Sequence, residues 1–292
     1  MFWWKNFVQI CLKLSGDIYY PWRIKQRRKQ KMNECPDKSQ AGRAAASAKL
    51  PAFILHLGRA AARQENVDSL QRLVAQQVLF TGAEVLPAID AEQMPQAQSE
   101  AVYRRKIFLP FYPFALKPAE IACFLSHRLA WQTMLERGCA AALITEDDMQ
   151  PRENFAEALA LAAAHIQACG LIRFPHRDRE SGRLIAQQGQ TELISPAPVG
   201  LGAVSYMLSR KAAEKLLAET RHFDRPLDVF LQMFWVTKIH PAALRPGGIA
   251  EISAKIGGST LTQKRTIGQK LRHELLRPLY RAQIALLSHL KT

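Results

Sequence analysis

The chain has 292 residues, 48% of them hydrophobic and 22% charged, and its five cysteines form no CxxC pair. This composition is typical of a globular protein with one large or two small domains in a reducing cytoplasm, and it indicates neither a disulfide framework nor a zinc site. The formal net charge of +15 is carried by residues 1–50 (+8) and 252–292 (+7), so the body between them is neutral and unlike a nucleic-acid-binding surface.

The N-terminal extension, residues 1–50, combines aromatic with basic side chains. Its aromatic residues Trp3, Trp4, Tyr19, Tyr20 and Trp22 are followed by Arg23, Lys25, Arg27, Arg28, Lys29 and Lys31. Aromatic rings anchor at the headgroup level and each basic residue adds roughly 1 kcal/mol toward an anionic leaflet, so we expect a segment that lies on a membrane. No apolar stretch approaches the roughly 18 residues of a membrane span. The alternative is an extension without a membrane role, with Met32 as a candidate initiator.

The body predicts a chain of alternating strands and helices. Strands are expected at 51–57, 83–90, 140–146 and 171–175, and helices at 65–79, 118–137 and 153–170. This alternation predicts an α/β fold with a mostly parallel, covered sheet. We therefore divide the chain into the extension (1–50), one α/β domain (51–255) and a C-terminal segment (256–292) with a basic amphipathic helix at 266–290.

Three consecutive acids, Glu146, Asp147 and Asp148, follow the apolar strand "ALIT". Ligands of parallel sheets bind beyond the carboxyl ends of the strands, where this triplet lies. Alternate side chains of a strand share a face, so Glu146 and Asp148 are expected to converge while Asp147 points away. Two carboxylates on one side are typical of a Mg²⁺ or Mn²⁺ site. The alternative is that Asp147 or Asp148 begins the next helix.

The segment "EIACFLSHRLAW" (120–131), followed by the acid triplet, resembles glycosyltransferase family 25 of lipooligosaccharide and lipopolysaccharide biosynthesis. The matching residues are Glu120, Cys123, Ser126, His127, Trp131 and the triplet itself. Further segments agree in the same order: "FILHLGRAAARQENV" (53–67), "LIRF" (171–174), "GAVSYMLSRKAAEKLL" (202–217) and "RPLDVFLQMFW" (225–235). The resemblance spans about residues 51–255, and it departs from the family at Ala203 and Ser205, where Thr and Gly are common.

The resemblance implies a Rossmann-like, nucleotide-sugar-binding domain of the GT-A type and inverting transfer of a hexose, galactose in many members, from a UDP-sugar. Glu146 and Asp148 would hold Mn²⁺ or Mg²⁺, and Asp147 would contact the sugar or ribose. Asp228 is the candidate catalytic base, because inverting transfer needs a group that takes the acceptor's proton. A helix N-cap is the alternative for Asp228.

Five further residues are candidates for donor binding. Arg59, Arg63 and Arg173 have the charge and geometry to reach phosphates, although each is equally explained as a surface residue. Glu120 and His127 lie two turns apart on one helix face and are expected to border the cleft. A histidine on such a face is more often structural, so we favour His127 as a tether for Ser126 or the acid strand. Trp131 is expected in the core.

These predictions together describe a cytoplasmic enzyme, peripheral on the inner face of the inner membrane. Its expected partners are a UDP-sugar donor, a lipid-linked oligosaccharide acceptor and the anionic membrane surface, with no nucleic acid. One alternative is a sugar nucleotidyltransferase, which also uses paired acids and a metal. Another is a non-catalytic membrane-binding or nucleic-acid-binding protein, and a third is an inactive member of the family.

Overall fold

A computed structural model describes residues 49–256 and 267–291 of the chain. The predicted membrane-binding segment and Met32 lie outside these residues.

The described residues form ten strands, eight of them in one sheet. The strands are β1 (Leu50–His56), β2 (Phe80–Pro87), β3 (Ala141–Glu146), β4 (Met149–Pro151), β5 (Leu171–Arg173), β6 (Gly182–Gln188), β7 (Thr191–Pro196), β8 (Ser205–Ser209), β9 (Ala242–Arg245) and β10 (Ile249–Glu251). The large sheet has the order β2-β1-β3-β8-β5-β9-β7-β6, and β4 pairs with β10 in a separate ribbon. Six strands of the large sheet run in one direction, and only β8 and β7 run against them. The predicted mostly parallel α/β fold is confirmed.

Helices cover both faces of this sheet. In the described part of the chain they are α1 (Gln64–Ala75), α2 (Gln96–Val102), α3 (Pro118–Glu136), α4 (Phe155–Cys169), α5 (Arg210–Glu219), α6 (Leu227–Leu231), α7 (Phe234–Thr237) and α8 (Ile267–Lys291). The apolar sides of α1 and α4 pack on one face, with Ile54 and Leu143. Those of α3, α5 and α6 pack on the other face, with Phe53 and Ile144. The alternation of side chains along β1 and β3 thus places successive apolar residues in two separate cores.

Three connections meet at one edge of the sheet. Because β1 and β3 are parallel, with Leu55 opposite Glu146, the segments that follow them leave from the same edge. Strand β8 is antiparallel to β3, so the loop that precedes Ser205 arrives at this edge as well. The Glu146 amide donates to the Val204 carbonyl at 2.8 Å and closes the sheet at this point.

The second strand differs from its prediction by three residues. It was expected at 83–90, and it begins at Phe80 and ends at Pro87. Gly82 lies inside the strand with φ of 142°, a value open to glycine and rare for other residues. The pairing with β1 therefore begins before the glycine, with Phe80 opposite Leu50.

Helix α8 lies where a C-terminal helix was predicted. Its Tyr280 and Ile284 form a small core with Val229 of α6 and Met233. None of the described helices is both long and apolar enough to cross a membrane.

Candidate active site

The acid triplet borders a cavity of about 360 Å³ at the shared edge of the sheet. We call it the first cavity. Arg59 and Arg63, from the segment after β1, line it together with Glu146, Asp147 and Asp148. The prediction that Asp147 points away from its neighbours is wrong. Strand β3 ends at Glu146 and the chain turns at once toward β4, so the two-residue alternation of a strand does not extend to Asp147.

Asp147 is buried, and both of its carboxylate oxygens are engaged. Oδ2 lies 2.8 Å from His56 Nδ1, at the end of β1, and Oδ1 accepts a hydrogen bond from Arg63 Nη1. The amide of Asn66, on α1, donates to the carbonyl oxygens of Asp147 (2.8 Å) and Met149 (2.9 Å). These contacts tie the turn after β3 to β1 and α1. Asp147 therefore holds Arg63 in the wall of the cavity.

Asp148 is buried, but only one of its two carboxylate oxygens has a partner among the described residues. Its Oδ2 lies 3.3 Å from Arg63 Nη1, whereas the buried Oδ1 has no hydrogen-bond partner among the described residues. Burial, and then the neighbouring Glu146 carboxylate, raise the pKa of Asp148 to about 7. An ionised, buried oxygen without a partner is costly, so this atom is suited to a cationic ligand.

Glu146 is held by His127 on α3. The His127 Nε2 atom lies 3.2 Å from Glu146 Oε1, and its Nδ1 atom lies 2.9 Å from the Tyr206 hydroxyl. Trp131 Nε1 donates to the same hydroxyl at 2.8 Å. The hydroxyl can then donate to Nδ1, which leaves Nε2–H to donate to Glu146. This contact is the tether to the acid strand that the sequence favoured for His127, and Trp131 is completely buried.

Among the described residues, one group of side chains has the spacing of metal ligands, and a second pair, Glu146 and Asp148, lines the same cavity. Ligand atoms of Cys123, His127 and Glu146 lie within 4.8 Å of one another. Burial raises the pKa of the Cys123 thiol well above its usual value, which disfavours the thiolate that a soft ion such as Zn²⁺ requires. Glu146 and Asp148 offer oxygen ligands alone, the type that Mn²⁺ and Mg²⁺ prefer. The unpartnered oxygen of Asp148 favours this second pair.

A second cavity, of about 330 Å³, adjoins the first. Cys123, Glu146 and Val204 line both cavities and form the wall between them. Asp228 lies in the second cavity, at the start of α6, where its carboxylate accepts from the amides of Val229 (2.8 Å) and Gly202 (3.2 Å). Burial raises the pKa of Asp228, although the two amides act against this. A carboxylate with a raised pKa is suited to accept a proton.

Two of the predicted donor-binding arginines, Arg59 and Arg173, pair with carboxylates of the protein. Arg59 lines the first cavity and pairs with Asp90 at 2.8 Å, its side chain 44% exposed. Arg173 lines neither cavity, because its guanidinium is buried against the Glu180 carboxylate (2.8 Å) and two backbone carbonyls. The structure therefore does not place Arg173 with the donor-binding group.

Glu120 also differs from its prediction. It lies in the second cavity, whereas Arg59 and Arg63 line the first, and its carboxylate accepts from the Lys117 amide at 2.7 Å. This hydrogen bond caps the start of α3. Glu120 is thus separated from His127, with which the sequence grouped it.

Several residues of the site were missed from the sequence. His56 and Asn66 both lie within the segment 53–67, and the spacing of Asn66 from Arg63 on one helical turn is a signal for it. Tyr206 lies within the segment 202–217, but it reaches His127 only because β8 lies beside β3. Glu251 had no such signal, because β10 reaches the site only by pairing with β4. Glu251 borders the first cavity from β10, and its charge also raises the pKa of Asp148.

Comparisons with known proteins give relatives of modest identity. The chain is 25% identical to procollagen galactosyltransferase 1 of Danio rerio over 63% of its own length and 31% of the relative's. It is 28% identical to inactive glycosyltransferase 25 family member 3 of Mus musculus over 43% and 22% of the two lengths. The chain thus spans a third or less of these relatives. Among solved structures, A197 from STIV is 13% identical, with a TM-score of 0.35 over 75% of this chain and 100% of that one.

The profile of one family covers most of the domain described above. The glycosyltransferase family 25 (LPS biosynthesis protein) matches residues 49–231, which contain both β1 and β3, the acid triplet, α3 and Asp228. This range is well over half of the chain. The chain therefore belongs to glycosyltransferase family 25.

Proposed function

We propose that this chain is a metal-dependent, inverting glycosyltransferase that moves galactose from a UDP-sugar onto the growing glycan of lipooligosaccharide or lipopolysaccharide. The observation that carries the proposal is the buried, unpartnered Oδ1 of Asp148 beside Glu146 in the first cavity. The names of the relatives that are procollagen galactosyltransferases favour galactose, and the description of the family as an LPS biosynthesis protein favours this acceptor. The sheet, with its site at the carboxyl edge, supports a GT-A-type fold.

In this proposal the first cavity binds the donor. Glu146 and Asp148 would hold Mn²⁺ or Mg²⁺, which when bound neutralises the charge that develops on the departing diphosphate. His127 fixes the orientation of Glu146, and Asp147 holds Arg63 where the guanidinium can face phosphate oxygens. Arg59 can add a second positive charge at the rim of the same cavity.

The second cavity would bind the acceptor, because it contains Asp228 and reaches the first cavity at Glu146. Asp228 takes the proton of the acceptor hydroxyl, whose oxygen forms a bond to the anomeric carbon of the donor sugar. The bond between that carbon and the diphosphate oxygen breaks, and UDP leaves with the electron pair. Attack from the side opposite the leaving group inverts the anomeric carbon.

We also propose that the enzyme works on the inner face of the inner membrane. The net charges of +8 and +7 at the two ends support attraction to an anionic surface. Helix α8 adds exposed leucines on its outer side, namely Leu275, Leu279, Leu286 and Leu290. A basic helix with an exposed apolar side is typical of segments that bind at a membrane interface.

A non-catalytic family member is the alternative function that specific observations favour. Several relatives carry the word inactive in their names. Ala203 lines the second cavity where the family often has Thr, and the buried Ser205 hydroxyl has no hydrogen-bond partner among the described residues. The presence of all three acids of the triplet favours an active enzyme over this alternative.

A screen of donor hydrolysis by the purified chain separates these functions. We expect UDP-galactose to be hydrolysed faster than UDP-glucose or UDP-N-acetylglucosamine, with a requirement for Mn²⁺ or Mg²⁺, and we expect the enzyme to sediment with vesicles of anionic but not neutral lipid. The double variant Glu146→Gln/Asp148→Asn is the matched control. Its rate of donor hydrolysis should be at least about 100-fold lower than that of the wild type, because electrostatic stabilisation of the leaving group is lost. Hydrolysis of none of these donors, by the wild type as by the variant, would favour the non-catalytic alternative.

A further inference from the structure

The second cavity is closed on one side by α8, a helix that follows the segment matched by the family profile. Tyr280 anchors this helix, because its hydroxyl accepts a hydrogen bond from Arg225 Nη1 at 2.6 Å. Arg225 is completely buried and paired with Asp224, with 2.6 Å between Nε and Oδ1. Because Arg225 and Asp224 belong to the α/β domain, the hydrogen bond from Arg225 to Tyr280 determines which side of α8 faces the cavity.

Two arginines flank this anchor and line the cavity. Arg277 lies almost one helical turn before Tyr280, and Arg281 directly follows it. Both are exposed, and neither forms an ion pair with any described residue. Arg277 is also close enough to Tyr112, another residue of the cavity lining, to affect its phenol. Burial raises the pKa of Tyr112, and the positive charge of Arg277 lowers it.

Side chains of both charge signs line the second cavity. The carboxylates of Glu120, Glu146 and Asp228 belong to the α/β domain, and the guanidinium groups of Arg277 and Arg281 belong to α8. Tyr112, which packs edge-to-face on Tyr280 with 5.4 Å between ring centroids, adds an aromatic side chain to the lining. A molecule that fills this space can therefore meet the carboxylate of Asp228 and two guanidinium groups that form no ion pair with any described residue.

Resting on the proposed function, we propose that the acceptor is an anionic saccharide whose phosphate or carboxylate binds Arg277 and Arg281 while its reacting hydroxyl faces Asp228. Guanidinium groups pair with phosphate and carboxylate through two parallel hydrogen bonds, which gives orientation as well as affinity. This arrangement would select acceptors by their charge, through a helix that the family profile does not include. A neutral saccharide would leave both arginines without a partner.

The proposal is tested by binding of three sugars that differ in charge: glucose 6-phosphate, glucuronate and glucose. Each is titrated by ligand-observed NMR into the full chain in the presence of UDP and Mn²⁺, so that the first cavity is not available to them. We expect at least one anionic sugar to bind at least tenfold more tightly than glucose, and the tighter of the two distinguishes phosphate from carboxylate. The double variant Arg277→Gln/Arg281→Gln should remove this preference and leave glucose binding unchanged.

A charge-matched control is Arg221→Gln/Lys291→Gln, which removes two exposed cations that line neither cavity. We expect it to keep the preference for the anionic sugar. The proposal is overturned if glucose binds the wild type as tightly as both anionic sugars, or if the control loses the preference as fully as the cavity variant. UDP binding is measured in the same samples. Its absence would count against the proposed donor site, while the comparison of the three sugars would still decide the nature of the acceptor site.

Discussion

Asp228→Asn is expected to lower the rate of sugar transfer by at least about 100-fold, because a positioned general base contributes roughly 10²–10⁴ to such a step. The carboxylate lies in the second cavity, and its raised pKa makes it a better proton acceptor than an ordinary aspartate. The amide of asparagine cannot take the proton. Measurement of the transfer rate under donor saturation checks the result, and UDP affinity should stay within about twofold because Asp228 does not line the first cavity.

The matched control for Asp228 is Glu120→Gln, the other carboxylate of the second cavity that is not shared with the first. Glu120 caps α3 through the Lys117 amide, and a glutamine oxygen can keep that hydrogen bond. We expect less than a tenfold loss of transfer rate. A larger loss for Glu120→Gln than for Asp228→Asn would assign the base to Glu120 and contradict the role given to Asp228.

The wild-type transfer rate should also rise with pH through the pKa of Asp228 and then level off.

Asp148→Asn is expected to make the metal-free protein more stable at pH 8 while it abolishes metal-dependent activity. Burial and Glu146 raise the pKa of Asp148 to about 7, Arg63 lowers it, and Asp147 and Glu251 add to the rise. The folded protein therefore binds a proton at Asp148 more tightly than the unfolded chain does. Stability from this group is full below the unfolded pKa and is lost as the pH rises toward 7.

The size of this effect follows from the pKa difference. A shift from 3.8 to about 7 corresponds to at most about 4 kcal/mol of unfolding free energy, at about 1.4 kcal/mol for each pKa unit. With EDTA at pH 8 we expect the variant to melt at least about 3 °C above the wild type, and at pH 4 the difference should vanish. Mn²⁺ should raise the melting temperature of the wild type and not that of the variant. A variant that melts below the wild type at pH 8 would show that Asp148 is not a strained carboxylate.

The part of the fold nearest the site could be predicted from the sequence because its signals are local. The helix at 118–136 begins with proline and ends before Gly138, and the buried strand 141–146 is a continuous apolar run bounded by the acid triplet. Such patterns need no knowledge of which strand lies beside which. The acids at the end of the strand follow from the same local pattern.

The remainder of the site depends on the order of strands, which the sequence does not state. Tyr206 reaches His127 because β8 enters the sheet next to β3, and Glu251 reaches Asp148 because β10 pairs with β4. Arg173 was expected to reach phosphates, but Glu180 and two carbonyl groups occupy its guanidinium. The sequence alone does not show which carboxylate or carbonyl group will pair with a given arginine.

The most direct measurement is a calorimetric titration of Mn²⁺ into the protein in the presence of UDP. Wild type and Cys123→Ser should bind one ion with similar affinity, because burial raises the pKa of the Cys123 thiol well above its usual value and the proposed ligands of the ion are the oxygens of Glu146 and Asp148. Glu146→Gln/Asp148→Asn should show no binding heat. Retention of the ion by that double variant, or its loss in Cys123→Ser alone, would contradict the assignment of a hard cation to the carboxylates at the end of β3.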